Sequence, residues 1–233
     1  MLCITLLSGA ELTSIAVEDV LDVKALKQRL HLLHGLPPRF RQRLLRGGQT
    51  LDDAFQLDSP MDLQVVLTTL AEPSDCQMEQ LLVAARDGFM SEVEALLQLP
   101  VHPDVFKRQY HPDIFDDLEE ALQEEDSTAL MLAASCNHPE IVKLLLEAGA
   151  QVNFADECGW TALMNATING HTQVVQLLLE AGAQTDPVND MGQTAIDLAM
   201  EHSRIMRMQP AGEDQNEVCR LLTQAEVLAA EGK

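Results

Sequence analysis

The sequence predicts a chain of two parts: an α+β domain over residues 1–70 and an all-α repeat domain over residues 76–233. Apolar runs in the first seventy residues follow the order ββαβ plus a final β, whereas the remainder repeats every 33 residues. The charge also changes. Residues 1–70 hold seven Lys or Arg against eight Asp or Glu, while residues 71–233 hold eight against 29. Such different compositions favour two domains with different surfaces.

Short apolar runs predict the elements of the first domain. Residues 2–7 and 12–17 are two β-rich runs on either side of a Gly turn, which predicts a hairpin. Apolar residues then recur at spacings of three and four until Gly35, which predicts a helix that ends there. The runs at Leu44-Leu45 and at 63–67 predict two further strands. The last strand is expected to pair with the first beneath the helix.

Five motifs in this domain carry a resemblance to one known family. They are Gly35-Leu36-Pro37-Pro38, Gln42-Arg43-Leu44-Leu45, Gly48-Gln49, Leu51-Asp52-Asp53 and Leu63-Gln64-Val65-Val66-Leu67. In order and spacing they resemble the ubiquitin superfamily, which implies a β-grasp fold. The domain has no terminal Gly-Gly, and Gln49 stands where ubiquitin has a lysine on which chains are extended. The resemblance therefore implies an integral ubiquitin-like domain that is read by receptors and is not attached to targets.

The same resemblance implies a docking surface on the sheet. Ubiquitin is read through an apolar patch, and the matching positions are Leu45 and Val66, with Gln64 beside them and Arg43 and Arg46 flanking. An apolar patch with a basic rim suits an acidic amphipathic helix of a receptor. The alternative is that Leu45 and Val66 cover the core or contact the following domain.

The 33-residue period defines the second domain. The hexapeptide Thr128–Ala133 returns in similar form at 161–166 and 194–199, and Leu144–Ala150 returns at 177–183. This period and the T-x-[LI]-x-x-A helix start resemble ankyrin repeats, although Ala replaces their usual Pro in all three copies. The resemblance implies an all-α ankyrin-repeat solenoid of about four repeats, because each helix pair must stack to bury its apolar face. The predicted repeats lie at about 77–100, 127–150, 160–183 and 193–225.

The repeat phasing sets the predicted boundaries. The first domain covers 1–70, a linker covers 71–75, and the repeats fill 76–233. Two insertions, near 101–126 and 203–214, are expected to be surface excursions. Within the first, residues 116–126 hold seven acids and no base, which suits a solvated acidic face or a site for a basic partner.

Ankyrin repeats bind proteins with their turn tips and with the concave face of their first helices. Trp160, the only Trp of the chain, is expected either to anchor a partner or to pack between neighbouring turns. The positions that match the family's binding surface are Glu157, Cys158, Trp160, Ile168, Asn169, Asp190, Met191, Gln193, Glu201 and His202.

Motifs of catalysis are weak or missing in the sequence. There is no HExxH, no Gly-rich phosphate loop and no GxSxG, so we predict no enzyme, cofactor, metal or catalytic site. The triplets at 102–104 and 111–113 read His-Pro-Asp and resemble the J-domain motif, but the upstream residues already belong to a repeat. Both triplets are therefore expected to be Pro turns with Asp caps.

The net charge, the cysteines and the hydropathy restrict the class of partner and the cellular compartment. The net charge of -22 would repel nucleic acid and anionic lipid, and would favour basic partners. Five dispersed cysteines without a CxxC pair predict reduced thiols, mostly small buried hydrophobes, in an intracellular protein of the cytoplasm or nucleus. No signal peptide or membrane span is predicted, and a monomer is expected.

Together these features predict a non-enzymatic adaptor for protein–protein interaction. The ankyrin stack would hold a client, and the ubiquitin-like domain would dock on the proteasome, a segregase or a ligase. The machinery is implied by the resemblance alone. The alternative is a structural scaffold whose ubiquitin-like domain packs on the stack and has no ubiquitin-pathway role.

Overall fold

The computed structural model describes residues 1–69, 74–99, 101–105, 127–206 and 213–231, without the side chains of 202–206, 213–216 and 228–231. The chain divides into two compact units. The first unit holds Met1–Glu72 with Leu97–Val101, and the second holds Pro73–Leu96 with His102–Lys233. The finer boundaries at 70 and 76 stay a prediction.

The first unit contains a five-stranded mixed sheet. Its strands are β1 (Leu2–Leu6), β2 (Glu11–Ile15), β3 (Gln42–Arg46), β4 (Gln49–Thr50) and β5 (Met61–Leu67). They are arranged in the order β2-β1-β5-β3-β4. β1 runs parallel to β5, and the other neighbours are antiparallel. The predicted pairing of the first strand with the last is confirmed, whereas the two-residue β4 was not predicted.

One helix, α1 (Val23–His34), packs on one face of this sheet. Asp22 caps its start, because the Asp22 carboxylate accepts a hydrogen bond from the Ala25 amide at 2.7 Å. Gly35 ends it with a φ of 62°, a left-handed conformation that favours glycine. The buried side of α1 and alternate strand residues form the core, which includes Leu2, Ile4, Val23, Leu26, Leu30, Leu44, Leu63 and Val65.

A buried cluster of three charges lies at the edge of this core. The Lys27 Nζ is 2.5 Å from Asp53 Oδ1, and the Arg39 Nη1 is 2.7 Å from Asp53 Oδ2. The side chains of Lys27 and Arg39 are only 4% and 1% exposed. The Gln42 amide donates to the carbonyl oxygens of Lys27 and Pro37 at 3.0 and 2.7 Å. One carboxylate therefore pairs with two buried cations through its two oxygens, as buried charges require a charged partner.

The second unit is a stack of helix pairs, four of them among the described residues. The first helices α2, α4, α6 and α8 pack in succession, and so do the second helices α5, α7 and α9. The pairs are α2 (Asp75–Asp87) with α3 (Met90–Leu97), α4 (Ala129–Ser135) with α5 (Pro139–Glu147), α6 (Ala162–Ile168) with α7 (Thr172–Glu180), and α8 (Ala195–Met206) with α9 (Glu213–Glu231).

The repeated threonines are helix caps. The hydroxyl of Thr128 accepts from the amide three residues later at 3.4 Å, that of Thr161 does so at 3.3 Å, and that of Thr194 at 3.2 Å. Thr128 and Thr161 are buried, so each hydroxyl also fills space in the stack. The capping requirement explains why threonine opens each 33-residue copy.

Two histidines link successive helix pairs. The Nε2 of His138 lies 2.9 Å from the Arg86 carbonyl oxygen, and the Nε2 of His171 lies 2.9 Å from the Ser135 carbonyl oxygen. Because a carbonyl oxygen only accepts, each Nε2 carries the proton and donates it. His138 and His171 therefore have a structural role, since each connects its own helix pair to the pair before it.

The start of the first predicted insertion is buried, contrary to the expected surface excursion. Val101, Asp104 and Val105 are 5%, 8% and 7% exposed. The Asp104 Oδ1 accepts a hydrogen bond from the Gln151 amide at 2.8 Å, which ties this segment to the start of a distant turn. The acidic stretch 116–126 and the second His-Pro-Asp triplet lie outside the described residues.

The last two helices extend into the second predicted insertion. α8 continues to Met206, and α9 starts at Glu213 and continues to Glu231, past the predicted end at 225. The sequence holds no Gly or Pro from Gln193 to Gln209, so nothing stops α8 at the length of the earlier first helices.

The cysteines differ from the prediction in their burial. All five thiols are free, but Cys76, Cys136 and Cys158 are exposed and the other two are half-buried. None is a fully buried hydrophobe: the three exposed thiols lie at a helix start, a helix C-cap and a turn tip, and the half-buried two lie in β1 and α9. Among the described residues, every helix is too short or too polar to cross a lipid bilayer.

Candidate functional site

The sheet face opposite α1 brings the predicted docking residues together. Successive strand residues point to opposite faces, so Leu45 and Val66 lie outward when their neighbours Leu44 and Val65 are buried. The register pairs Leu45 with Gln64 and Arg43 with Val66. Leu45, Gln64 and Val66 are half-buried, whereas Arg43 and Arg46 are exposed.

Leu7 belongs to the same surface, although it is not among the predicted residues. It directly follows β1, and its side chain is 64% exposed. Leu6 pairs with Val65. The residues that follow them, Leu7 and Val66, therefore lie next to each other on the outward face. The alternation along β1 could have predicted that Leu7 points outward, because Leu2 and Ile4 are the buried positions. We call Leu7, Leu45 and Val66 the sheet patch, with Arg43, on the same face, as its rim; Arg46 follows Leu45 and by the same alternation lies on the Leu44 side of β3.

Cys3 lies on the outward face of β1, and its thiol lacks the properties of a catalytic nucleophile. Partial burial raises the pKa of the Cys3 thiol, and the Glu11 carboxylate raises that pKa further. A thiol with a raised pKa stays protonated near neutral pH and is a poor nucleophile. Within the described ranges, His, Cys, Asp and Glu form no group of three or more that could hold a metal ion.

Two neighbouring turns of the stack form the second candidate surface. One turn closes with a hydrogen bond from the Asp156 amide to the Trp160 carbonyl oxygen at 3.0 Å, and the Asn189 amide donates to the Gln193 carbonyl oxygen at 3.1 Å in the next. The two tips contact directly, because the Asp190 amide donates to the Cys158 carbonyl oxygen at 2.9 Å. This bond places the exposed residues of both tips side by side: Glu157, Cys158, Asp190 and Met191.

The exposed face of α8 continues this surface. Asp197, Met200 and Glu201 are exposed at helical spacings of three and four, so they share one side of the helix. Gln193 joins the tip to this face, since its Nε2 donates to Glu201 Oε2 at 2.7 Å. The side chain of His202, the next predicted residue, lies outside the described residues.

The predicted residues around α6 contribute less exposed area. Trp160 is half-buried, and its amide donates to Asp156 Oδ1 at 2.7 Å within the turn. Ile168 is half-buried, whereas Asn169 is exposed and its Nδ2 donates to the Asn165 carbonyl oxygen at 2.9 Å. Trp160 is therefore partly covered at its turn and is not a fully exposed anchor.

A carboxylate on the α8 face has a perturbed pKa, which yields a testable prediction. The amide and hydroxyl of Thr194 both donate to Asp197 Oδ2, at 2.9 and 2.7 Å, and they lower the pKa of Asp197. Because the folded pKa is depressed, this capping interaction is complete above the unfolded pKa and is lost as pH falls through the folded pKa. We expect NMR titration to place the Asp197 midpoint closer to its ordinary value in Thr194→Ala than in the unmodified chain, because the hydroxyl donor is removed. An unchanged Asp197 midpoint would contradict this assignment.

Comparison with known proteins assigns the second unit to a family. A family model described as "Ankyrin repeats (3 copies)" matches residues 61–156 and again residues 130–229. No curated protein matches the chain. Ankyrin repeats are typically non-enzymatic interaction modules, and a stack of helix pairs with exposed turn tips is what such a module needs. The two matches together span well over half of the 233 residues, so the chain belongs to the ankyrin-repeat family.

Proposed function

We propose that this chain is a non-enzymatic adaptor for protein–protein interaction. Its ankyrin stack binds a partner through the turn tips and the α8 face. Its N-terminal domain is a ubiquitin-like β-grasp domain that docks on ubiquitin-pathway machinery, namely a subunit of the proteasome, a segregase or a ligase in the cytoplasm or nucleus.

The topology of the first unit supports the ubiquitin-like assignment. Its first and last long strands are parallel neighbours at the centre of a mixed sheet, and one helix covers a single face. The sequence motifs that resemble ubiquitin fall at matching places: Gly35 ends the helix and Gln42–Leu45 lies in β3. Fold alone does not establish function, so the docking role rests on the site.

The sheet patch is the observation that carries the docking role. Leu7 is 64% exposed, and Leu45 and Val66 are accessible in part, next to the exposed Arg43 on the same face. Apolar side chains with an arginine rim are the composition that protein interfaces favour. A scaffold role would bury Leu45 and Val66 against the stack, whereas an adaptor role needs them accessible to a receptor, so a variant at these two positions distinguishes the roles.

The double variant Leu45→Ala, Val66→Ala tests the docking role. We expect it to lose proteasome, segregase or ligase subunits in affinity capture quantified by mass spectrometry, by about tenfold or more, because two apolar contacts at the centre of the patch disappear. The matched control is Leu32→Ala, Leu33→Ala, since these residues are 80% and 62% exposed on α1. The control should capture the same subunits as the unmodified chain.

Both variants must retain the far-UV circular dichroism of the unmodified chain before their captures are compared. Equal captures by the patch variant and the control would show that the sheet patch is not a docking site. In that case the structural scaffold becomes the better description of the first unit.

A further inference from the structure

Over residues 127–201, the stack concentrates its exposed large apolar side chains in one place; elsewhere in the second unit Val83, Phe89, Met90 and Val227 are also exposed. Within residues 127–201, the exposed large hydrophobic residues are Val188, Met191 and Met200, at 53%, 79% and 54% exposure. Val188 and Met191 belong to one turn tip, and Met200 lies on the α8 face that Gln193 joins to that tip. Methionine is flexible and polarisable, and it adapts to differently shaped partners.

Acids surround this apolar group. Asp190 lies in the tip beside Met191, and Glu201 follows Met200 on α8; both are exposed. The wider stretch from 144 to 203 contains eight Asp or Glu and no Lys or Arg. A surface of this composition has a negative potential that attracts cations and repels anionic partners.

We infer that this surface binds a Lys- or Arg-rich segment of the partner that also carries an apolar side chain. The tip surface comprises Val188, Asp190, Met191, Met200 and Glu201. This inference rests on the proposed function, because it names the kind of partner that the ankyrin stack takes. The apolar side chain contacts the methionines and supplies affinity, while the basic residues pair with Asp190 and Glu201 and supply specificity.

Charge complementarity decides between possible occupants. A neutral apolar segment would leave the carboxylates of Asp190 and Glu201 beside an uncharged surface, at a cost in solvation that nothing repays. An acidic segment would add like-charge repulsion. A basic segment alone would leave Met191 exposed to water. Only a segment with both properties uses the whole tip surface.

Three labelled twelve-residue peptides test the inference against the full chain. The first alternates Lys and Arg around two central Leu, the second replaces both Leu with Ser, and the third replaces every base with Glu. Fluorescence anisotropy should show tightest binding for the first peptide, with an affinity that falls as salt rises because the attraction is screened. Equal or tighter binding of the serine or glutamate peptide, or no binding of any peptide, would overturn the inference.

Two charge-matched variants locate the binding site. Asp190→Asn, Glu201→Gln should weaken binding of the first peptide about tenfold, as expected for two lost charge contacts at an interface rim. Glu140→Gln, Glu180→Gln removes the same charge from the second helices α5 and α7, at positions that are also exposed. This control should stay within about twofold of the unmodified chain. If both variants weaken peptide binding equally, the net charge of the chain explains the binding and the tip surface is not the site.

Met191→Ser separates this inference from the adaptor role. If it abolishes capture of partner proteins from a lysate while the basic peptide fails to bind the unmodified chain, the stack is still a binding module but its occupant is not basic. If Met191→Ser leaves both capture and peptide binding unchanged, the tip surface is not the binding site and both proposals for the stack fail.

Discussion

Asp53→Ala is expected to destabilise the first unit by about 3–5 kcal/mol, the cost of removing one partner from a buried ion pair. The variant removes the carboxylate that pairs with both Lys27 and Arg39, whose side chains are only 4% and 1% exposed in the folded protein. Since domains are stable by only about 5–15 kcal/mol, this loss removes a large part of the free energy of unfolding. Amide hydrogen exchange in β3 and β5 measures it in the intact chain.

Asp58→Ala is the matched control, because Asp58 is an exposed carboxylate of the same unit. It should change the free energy of unfolding by less than about 0.5 kcal/mol, as usual for exposed positions. If Asp53→Ala and Asp58→Ala accelerate exchange equally, the Asp53 carboxylate is not what stabilises the two buried cations. The triple variant Lys27→Met, Arg39→Met, Asp53→Leu should recover much of the lost stability, because it removes all three charges of the cluster together.

Gly159→Ala has the second largest expected effect. Gly159 has a φ of 77°, and a Cβ at this position would lie 2.8 Å from the Val188 carbonyl oxygen and 3.0 Å from the Asn189 Cα. The variant therefore suffers left-handed strain of about 1 kcal/mol and also pushes two turn tips apart. We expect a total destabilisation of about 2–4 kcal/mol, since overpacking alone costs about 1–3 kcal/mol. Urea unfolding monitored by circular dichroism, together with Trp160 fluorescence, measures it.

Gly192→Ala separates strain from packing. Gly192 occupies the corresponding place in the next turn with a φ of 72°, but a Cβ there would have nothing within 4 Å. This variant should cost only the strain of about 1 kcal/mol. The difference between the two alanine variants is then the cost of tip separation. Equal costs would mean that the tip at Val188 moves aside freely.

The tip surface also depends on Gly159. The contact that Gly159 permits holds the Val188–Asp190 segment against the Cys158 carbonyl oxygen. A chain with Gly159→Ala should consequently lose partner binding at a temperature where it is still folded. Gly192→Ala should keep that binding.

Much of the first unit could be predicted from its apolar pattern. The alternation in β1 and β5, and the three- and four-residue spacing that Gly35 ends, correspond to the observed strands and to α1. The buried charges could not be predicted in this way. Lys27 lies at a buried helix position, yet its burial depends on Asp53, 26 residues later, which a periodic pattern does not reveal.

The repeats were predictable because each 33-residue copy reuses the same cap and the same apolar face. The burial of residues 101–105 was not, since it depends on a hydrogen bond from Gln151 to Asp104 across 47 residues. The candidate surface residues were taken from family positions, and their role in binding stays a prediction. Leu7, Val188 and Met200 were not among them, because their exposure depends on tertiary packing, and that packing also covers part of Trp160.

The parallel pairing of β1 with β5 has a consequence for biosynthesis. Residues 2–6 pair with residues 61–65, so the centre of the sheet forms only after the chain through Val65 has left the ribosome. Pairing across such a distance is slow, because the chain between must first be closed into a loop. From α4 onwards, neighbouring helices are closer along the chain, and each new pair can add to the one before. β1 therefore needs protection from wrong partners for longer than the helices of these later pairs.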